Sequence, residues 1–398
     1  MSDTTPGEAQ GPQPENEKED DDLALKLLHT ADWHLGRRFP SFTPEAQLEL
    51  MRARMSVIDA ILGSAAHNQV DAVLCAGDLF DDPQPEEEWW RPLAEKLRRH
   101  ATPARPVVLL PGNHDFLGPG TVYHPDHPFR HALPEHVHVV DRDDFELRLS
   151  PDAVLCSRPC RSRAEGLDLA MALPARREGD TSIRIGMVHG STFDMDGCET
   201  NFPIAREAAG VRGFDYLAIG DTHAYRVYDP PEHPTVYPGA PEPTSFGERD
   251  VGHVALVFFG RRRRRPLIRP EWVARFTWDE RVIEDMPTLR RLRDEDLHRT
   301  VLRLQLRMRL HPAERDELDE ILRALAGTSS SHGRAAVLQI DRSGLVLDAT
   351  DLGDALDGAP AVLVETAARL RARAQGGGED GEIAQRALYH LYRLVRTG

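Results

Sequence analysis

Apolar and polar positions along this chain fall into blocks that predict an α/β sheet, followed by a smaller α+β unit. LALKLLHTADWH is an apolar run that turns polar at its end, and it predicts a strand. Thr43 as N-cap and Pro44 in the first turn mark a helix start, with Leu48, Met51, Met55, Ile58 and Leu62 at helical spacing behind them. AVLCAGD predicts the next strand, Pro85 to Arg99 a second helix, and PVVLLPGNHD a third strand. IRIGMVHG and DYLAIGDTH end two later strands, and the loop YPGAPEPTSF follows. Strands alternating with helices predict an α/β sheet. Ligands of such sheets gather beyond the carboxyl ends of the strands.

Near residue 270 the pattern changes. VLRLQLRMRL alternates polar and apolar residues as a half-buried strand does, a helix runs from Pro312 to near Gly327, and AAVLQIDRSGLVL reads as a hairpin turning at Ser343-Gly344. Ala361 to Ala374 and Glu382 to Val395 read as two helices joined by QGGGEDG. Their apolar positions (Val362, Val364 and Leu370; Ile383, Leu388, Leu391, Leu394 and Val395) need something to bury against. The expected organisation is a disordered acidic tail over 1–22, a main domain over 23–270, a small α+β domain over 271–350 and a helical segment over 351–398.

A length of 398 residues agrees with two or three domains, and 40% apolar residues suffice for their cores. No apolar stretch is long enough to span a bilayer, and the first residues lack the basic start and apolar centre of a secretory signal. The expectation is therefore a cytoplasmic protein without a membrane partner. Cys75 lies in an apolar run, and the Cys156/Cys160 spacing has no matching pair, with only Cys198 besides. Neither a structural zinc site nor disulfides are expected. The net charge of −16 argues against a nucleic-acid ligand, but much of the excess sits in the first 22 residues. Basic clusters remain at Arg261 to Arg265 and around Arg303, Arg307 and Arg309, the first read mainly as a solvated turn.

The chemistry concentrates at the predicted strand ends. Asp32 and His34 are two apart, so an extended chain points both the same way. Asp78 follows a strand, Asn113 and His114 follow a Pro-Gly turn, and His189 and His223 end two later strands. Carboxylate, imidazole and amide together suit a borderline divalent ion such as Mn²⁺, Fe²⁺ or Zn²⁺. A carboxylate such as Asp78 can bridge two ions, and ions ~3.5–4 Å apart can hold a phosphate, activate water and stabilise a leaving oxygen.

In order along the chain, Asp32/His34, Gly77/Asp78, Gly112/Asn113/His114/Asp115, His189 and Gly220/Asp221/His223 match the pattern DxH, GD, GNH(D), H, GHxH. The chain thereby resembles the calcineurin-like metallophosphoesterases. That resemblance implies their α/β sandwich, here with a small α+β capping domain and C-terminal helices. It implies one ion on Asp32, His34, Asp78 and His223, and another on Asp78, Asn113 and His189. It makes His114 a non-ligand histidine near the phosphate and Asp115 its orienting group. LLHTADWHLG, AGDLFD and YPGAPEPTSFGE look, more narrowly, like the SbcD-type DNA repair nuclease subunit. This narrower resemblance implies a metal-dependent DNA exonuclease or endonuclease in an SbcCD-like complex. It would use two divalent ions, Mn²⁺ ahead of Fe²⁺, Zn²⁺ or Mg²⁺. Its partners would be DNA and an SMC-like coiled-coil ATPase or a second copy of the chain. The alternatives are a phosphatase or cyclic-nucleotide phosphodiesterase, and a non-catalytic DNA-binding or scaffolding subunit.

One position departs from the family. Asp221 stands where GHxH has a histidine ligand of the second ion, and it is read as a carboxylate ligand there. Arg37 and Arg38 follow the DxH motif and are candidates for phosphate contacts, with surface ion pairs the equal alternative. His29 is read as a packed core histidine, His124 and His127 as solvated loop residues, and Trp89 and Trp90 as packing residues of a helix.

Overall fold

The computed structural model describes residues 23–192, 201–228, 232–261, 265–310, 314–326, 334–347, 356, 359–376 and 378–397. The acidic tail, Cys198, the centre of the Arg261 to Arg265 cluster and Pro312 lie outside them. Two compact units divide the described chain: one takes the residues up to Arg38, Leu50–Thr244 and Glu248–Arg275, the other Phe39–Glu49, Ser245–Gly247 and the residues from Phe276 onward.

The first unit opens with β1 (Leu23–Thr30), the helix α1 (Pro44–His67, from Leu50 onward in this unit), β2 (Ala72–Cys75), α2 (Glu87–His100), β3 (Val107–Leu109), the short α3 (Pro128–Ala132) and β4 (Val137–Val139). It continues with β5 (Phe145–Ser150), β6 (Ala153–Ser157), α4 (Leu169–Ala172), β7 (Ile183–His189), α5 (Ala208–Arg212), β8 (Tyr216–Gly220), β9 (Arg226–Tyr228), β10 (Thr235–Tyr237), β11 (His253–Gly260) and β12 (Leu267–Trp272). One six-stranded sheet has the order β12-β11-β1-β2-β3-β4, and a second has the order β5-β6-β7-β8-β10-β9. β1, β2, β3 and β4 run parallel, as do β6, β7 and β8, so their carboxyl ends share one edge of each sheet.

Apolar side chains explain why the sheets stack. Leu25, Leu27, Leu74 and Val108 of the first sheet and Leu155, Ile185, Met187 and Ala218 of the second bury into one core between them. The outer face of the first sheet packs under α1 and α2, and that of the second under α4 and α5. β2 and β8 are buried along their whole length, which is why they read as unbroken apolar runs. The result is a mixed α/β sandwich of helix, sheet, sheet and helix layers, as expected.

α1 starts as its sequence predicts, with Thr43 Oγ1 accepting from the Ala46 amide at 3.3 Å. Its buried face overlaps the expected one in part. Ile58 and Leu62 bury and Met55 packs against them, but Leu48 is 46% exposed, and Leu50, Arg54, Val57, Ile61 and Ala65 complete the stripe. Arg54 disguises that stripe in the sequence. Its guanidinium is buried because the carbonyls of Trp33, Glu242 and Pro243 take up its N–H groups at 3.0, 3.2 and 2.6 Å.

The second unit contains β13 (Thr277–Ile283), α6 (Met286–Arg293), β14 (Thr300–Leu306), β15 (Arg309–Leu310), α7 (Arg315–Ala326), β16 (Val337–Asp341), β17 (Val346–Leu347), α8 (Ala361–Ala374) and α9 (Gly378–Thr397). A parallel sheet β13-β14-β16 buries Leu302, Leu304 and Leu306 against Leu289, Leu292, Leu318 and Leu322 of α6 and α7. The expected hairpin at Ser343-Gly344 is not one. The chain turns there, with the Leu345 amide donating to the Arg342 carbonyl, but β16 pairs with β14 and β17 with β15. Parallel partners on the neighbouring strands outcompete the local antiparallel pairing. In the α8–α9 pair, Ala367 and Leu388 bury together with Leu370 and Leu391 against them, while Val362, Val364 and Ile383 stay exposed. The side chains of Leu394 and Val395 lie outside the described residues.

Truncating the core under α1 tests this packing. Ile58→Ala should lower stability by about 2–5 kcal/mol, read as a drop in the urea midpoint with an unchanged slope.

Candidate metal centre

Five parallel strands deliver the motif residues to one place in the first unit. The loops after β1 and β2 stay zipped together: the Asp32 amide donates to the Gly77 carbonyl, His34 to Asp78 and Leu35 to Leu79, at 3.0, 3.0 and 2.9 Å. Across the other sheet His189 pairs with Gly220. Asp32 and His34 reach the centre by a different route from the extended chain expected. Asp32, His34, Asp78 and Asp221 all take positive φ, at 57°, 46°, 54° and 106°. They are four of the seven non-glycine residues with positive φ among those described, so the strain concentrates where the chemistry does. Gly112 permits the approach, since a Cβ there would meet Asp78 Oδ1 at 2.2 Å, and one on Gly77 would meet the His189 ring at the same distance.

Asp32, His34 and His223 bring one donor atom each within 4.8 Å of one another, and so do Asp32, Asp78 and His189. Asp32 and His189 are fully buried, and His34 and Asp78 nearly so. Asn113 Oδ1 lies 3.0 Å from His189 Nε2, with Asp78 Oδ2 at 3.5 Å and Asp221 Oδ1 at 3.8 Å from the same nitrogen. Asp221 gives its backbone amide to both Asp32 oxygens, at 3.0 and 3.1 Å, and accepts the Ser191 hydroxyl on its own Oδ2.

The imidazoles show what the centre is built to hold. His189 Nδ1 donates to the Ala76 carbonyl at 2.8 Å, which leaves Nε2 as the ring atom facing Asn113 and Asp78. His223 Nδ1 is engaged by Glu248 Oε1 at 2.9 Å, and His34 Nδ1 by Asp81 Oδ1 at 3.1 Å. With their Nδ1 atoms turned toward those carboxylates, the Nε2 atoms of His34 and His223 face one another at 3.2 Å. Two lone pairs aimed at one point need a cation or a proton between them. Fixing one ring nitrogen so that the other ligates is how metal-binding histidines are held.

The carboxylates make the same case. Burial, helped by the charges of Asp78 and Asp221, pushes the Asp32 carboxyl up to about 7 against the opposing pull of His189 and His223. Burial works against the charge on Asp78 too, but His189, His34 and His114 outweigh it and hold its pKa below the usual range. His189 rises well above an ordinary imidazole because Asp78, Asp32 and Asp221 overcome its burial. Buried like charges gathered at one point fit divalent cations, and the donor set suits a pair of them.

His114 sits at the open side, its side chain 36% exposed. Its amide donates to Asp78 Oδ1 at 2.9 Å, and its Nδ1 bonds the Asp81 carbonyl at 3.1 Å. The orienting role expected of Asp115 is not what the structure shows. Asp115 is fully buried, its oxygens taken by the amides of Gly112 and Phe80 and by the Tyr123 hydroxyl at 2.8, 3.0 and 3.0 Å. It ties the GNHD loop to the GDLFD loop, and Asp81 is the residue that holds His114.

Asp81, Thr244, Glu248 and Arg54 are the contributors that sequence reasoning left unassigned. The first three stood inside AGDLFD and YPGAPEPTSFGE, whose remaining polar positions were the signal. Thr244 gives its amide to Glu248 Oε2 at 2.7 Å, and its hydroxyl lies 3.2 Å from His223 Nδ1. Arg37 and Arg38 form ion pairs, with Asp81 at 3.4 Å and Glu86 at 3.3 Å. His29 is a packed residue, bonded to the Tyr216 hydroxyl at 2.9 Å and pushed down to about 3 by burial. His127 caps α3, and His124 accepts the Asp126 amide in its own turn. Trp90 and Trp89 pack in the core under α2. Cys75, Cys156 and Cys160 are buried free thiols.

The family pattern of the calcineurin-like phosphoesterases matches residues 25–225, about half the chain, and this protein belongs to that family. Fold and donor set are those of a metal-dependent phosphoesterase. Among similar sequences, the "Uncharacterized metallophosphoesterase YhaO" of Bacillus subtilis (strain 168) is 29% identical over 228 residues, 54% of this chain and 52% of its own. The SbcD subunit of the nuclease SbcCD from Rhodobacter capsulatus is 40% identical over 93 residues, 23% of this chain and 22% of its own. The chain thus spans about half of the first relative and a fifth of the second. Among solved structures, TT1561 of Thermus thermophilus aligns with 63% of this chain and 99% of its own at 13% identity and a TM-score of 0.37.

The Glu248 contact yields a direct test. Glu248→Ala should weaken binding of one Mn²⁺ by about 10–100-fold and spare the other, as read by calorimetric titration of the metal-free protein.

Proposed function

We propose that the protein is a divalent-metal-dependent nuclease that hydrolyses DNA phosphodiester bonds. The observation that carries the reading is the convergence of two sets of metal donors beside an open-side histidine that belongs to neither. Asp32, His34, Asp78 and His223 would hold one ion, and Asp78, Asn113, His189 and Asp221 the other. When bound, the pair supplies positive charge to the phosphate oxygens and an activated water. His114 is held through Nδ1, so its Nε2 is the atom left for substrate, and from there it would donate a proton to the departing 3′-oxygen. Burial of Asp32 and Asp78 keeps bulk water from screening that chemistry. DNA as substrate is supported by the 40% identity to a nuclease subunit across the segment that matches it.

His114→Ala should lower Mn²⁺-dependent cleavage of single-stranded DNA about 10²–10⁴-fold while the protein still binds two ions. Parallel loss of both ions would remove His114 from the proposed role. Activity on DNA no greater than on p-nitrophenyl phosphate would count for a phosphatase instead.

A partner belongs to the same reading. The relative is named as one subunit of a nuclease, and α8 and α9 expose Val362, Val364 and Ile383. An SMC-like ATPase, or a second copy of this chain, is the proposed occupant. Deleting residues 361–398 should abolish association in light scattering while hydrolysis of a small phosphodiester persists; an unchanged complex would rule these helices out.

A further inference from the structure

We propose that Asp221, held by Ser191, makes the second ion position a hard, oxygen-rich one that favours Mn²⁺ or Mg²⁺ over Zn²⁺, unlike the imidazole-rich first position. This rests on the two-ion reading above and adds a selectivity to it.

The contrast between the positions is in the donors. Around the first stand two imidazoles, His34 and His223, with carboxylates of Asp32 and Asp78. Around the second stands one imidazole, His189, with oxygens of Asn113, Asp78 and Asp221 within 3.0–3.8 Å of its Nε2. Atoms that share a small octahedral ion at about 2.1 Å lie about 3.0 Å apart when they are neighbours, so the spacing is close to that of a ligand shell. Imidazole suits Zn²⁺, whereas carboxylate and amide oxygens suit Mg²⁺ and Mn²⁺. A second carboxylate at that position also strengthens the attraction for any dication and weakens the advantage that a softer ion takes from nitrogen.

A free carboxylate would swing between ligation and solvent, and here it is fixed. Its Oδ2 takes the Ser191 hydroxyl, which leaves Oδ1 toward His189. Its own amide is anchored on Asp32. Ser191 is equally fixed. Its carbonyl accepts from Ile204 at 2.9 Å, and the buried Tyr237 hydroxyl bridges its neighbours, accepting from the Thr192 amide and donating to the Gly190 carbonyl, both at 2.9 Å. Gly190 has no alternative, since a Cβ there would meet the Phe202 carbonyl at 2.0 Å. The hydroxyl thus stands on a braced backbone, and the carboxylate stands on the hydroxyl.

The test is metal competition on the full chain, stripped by chelator and followed by calorimetry and by electron paramagnetic resonance of bound Mn²⁺. The native protein should bind two Mn²⁺, with Zn²⁺ displacing one at least about tenfold more readily than the other. Asp221→His should erase that difference by raising Zn²⁺ preference at the second position. Ser191→Ala keeps every ligand, so it should weaken only the second Mn²⁺, by about tenfold. Should Asp221→His fail to fold, Asp221→Asn is the substitute, and it should weaken the second Mn²⁺ alone. Equal displacement of both ions from native protein, or second-ion binding unchanged in Ser191→Ala and Asp221→Asn, would overturn the proposal. Failure of the native chain to bind a second ion at all would overturn the two-ion reading, and the selectivity with it.

Discussion

Three carboxylates, Asp32, Asp78 and Asp221, stand at the carboxyl edges of two stacked sheets, two of them shut away from water. Isolated buried carboxylates are expensive, and burial pushes Asp32 toward its neutral form. The remaining features of the centre answer that cost. Imidazoles from the second sheet face the carboxylates of the first. Backbone amides of His114 and Asp221 donate to Asp78 and Asp32. Four residues accept left-handed backbone so that donor atoms converge. Such strain persists only where surrounding packing over-determines it, and the apolar cores on both faces of each sheet do so here.

Behind the donors lies a layer that decides which atom each of them offers. Ala76 and Glu248 each bond the Nδ1 of a histidine, and the Asp81 carboxylate faces that of His34 at 3.1 Å, so that Nε2 is the atom each ring presents. Arg54 does comparable work on the backbone by joining the Trp33 carbonyl, between Asp32 and His34, to the carbonyls of Glu242 and Pro243. Asp115 belongs with these. Being charged and adjacent to His114, it invites a catalytic part, yet its oxygens are spent on holding two loops in register.

Much of this was legible in the sequence, for a physical reason. Residues that must meet at strand ends leave a short polar signature after each apolar run, and Asp32, Asp78, Asn113, His189 and His223 all carry it. α1 was visible through its helix-start residues and part of its apolar spacing, and α2 and α8 lie close to where they were expected, although Val362 and Val364, read as part of the apolar face of α8, are exposed. Three things were hidden. The packed stripe of α1 includes Arg54, whose burial depends on carbonyls nearly 190 residues away. The roles of Asp81 and Glu248 depend on contacts between loops, which no local pattern encodes. The pairing of β16 with β14 sets distant parallel neighbours against a plausible local turn, and the sequence around Ser343 records only the turn.

The donors divide between the sheets, and the division has a consequence for how the centre comes into being. Asp32, His34, Asp78 and Asn113 follow strands of the first sheet, His189 ends a strand of the second and Asp221 and His223 follow another, and His34 meets His223 across 189 positions of chain. During synthesis the early half therefore emerges with its carboxylates and without the imidazoles that face them. The first sheet is not complete then either, because β11 at residues 253–260 must return to pair with β1. Ribosomal emergence runs from the N-terminus, so closure of this sandwich waits for its last strands. A cation captured earlier would find a partial and misarranged set of donors, which makes correct metallation a late event, contemporaneous with completion of the fold.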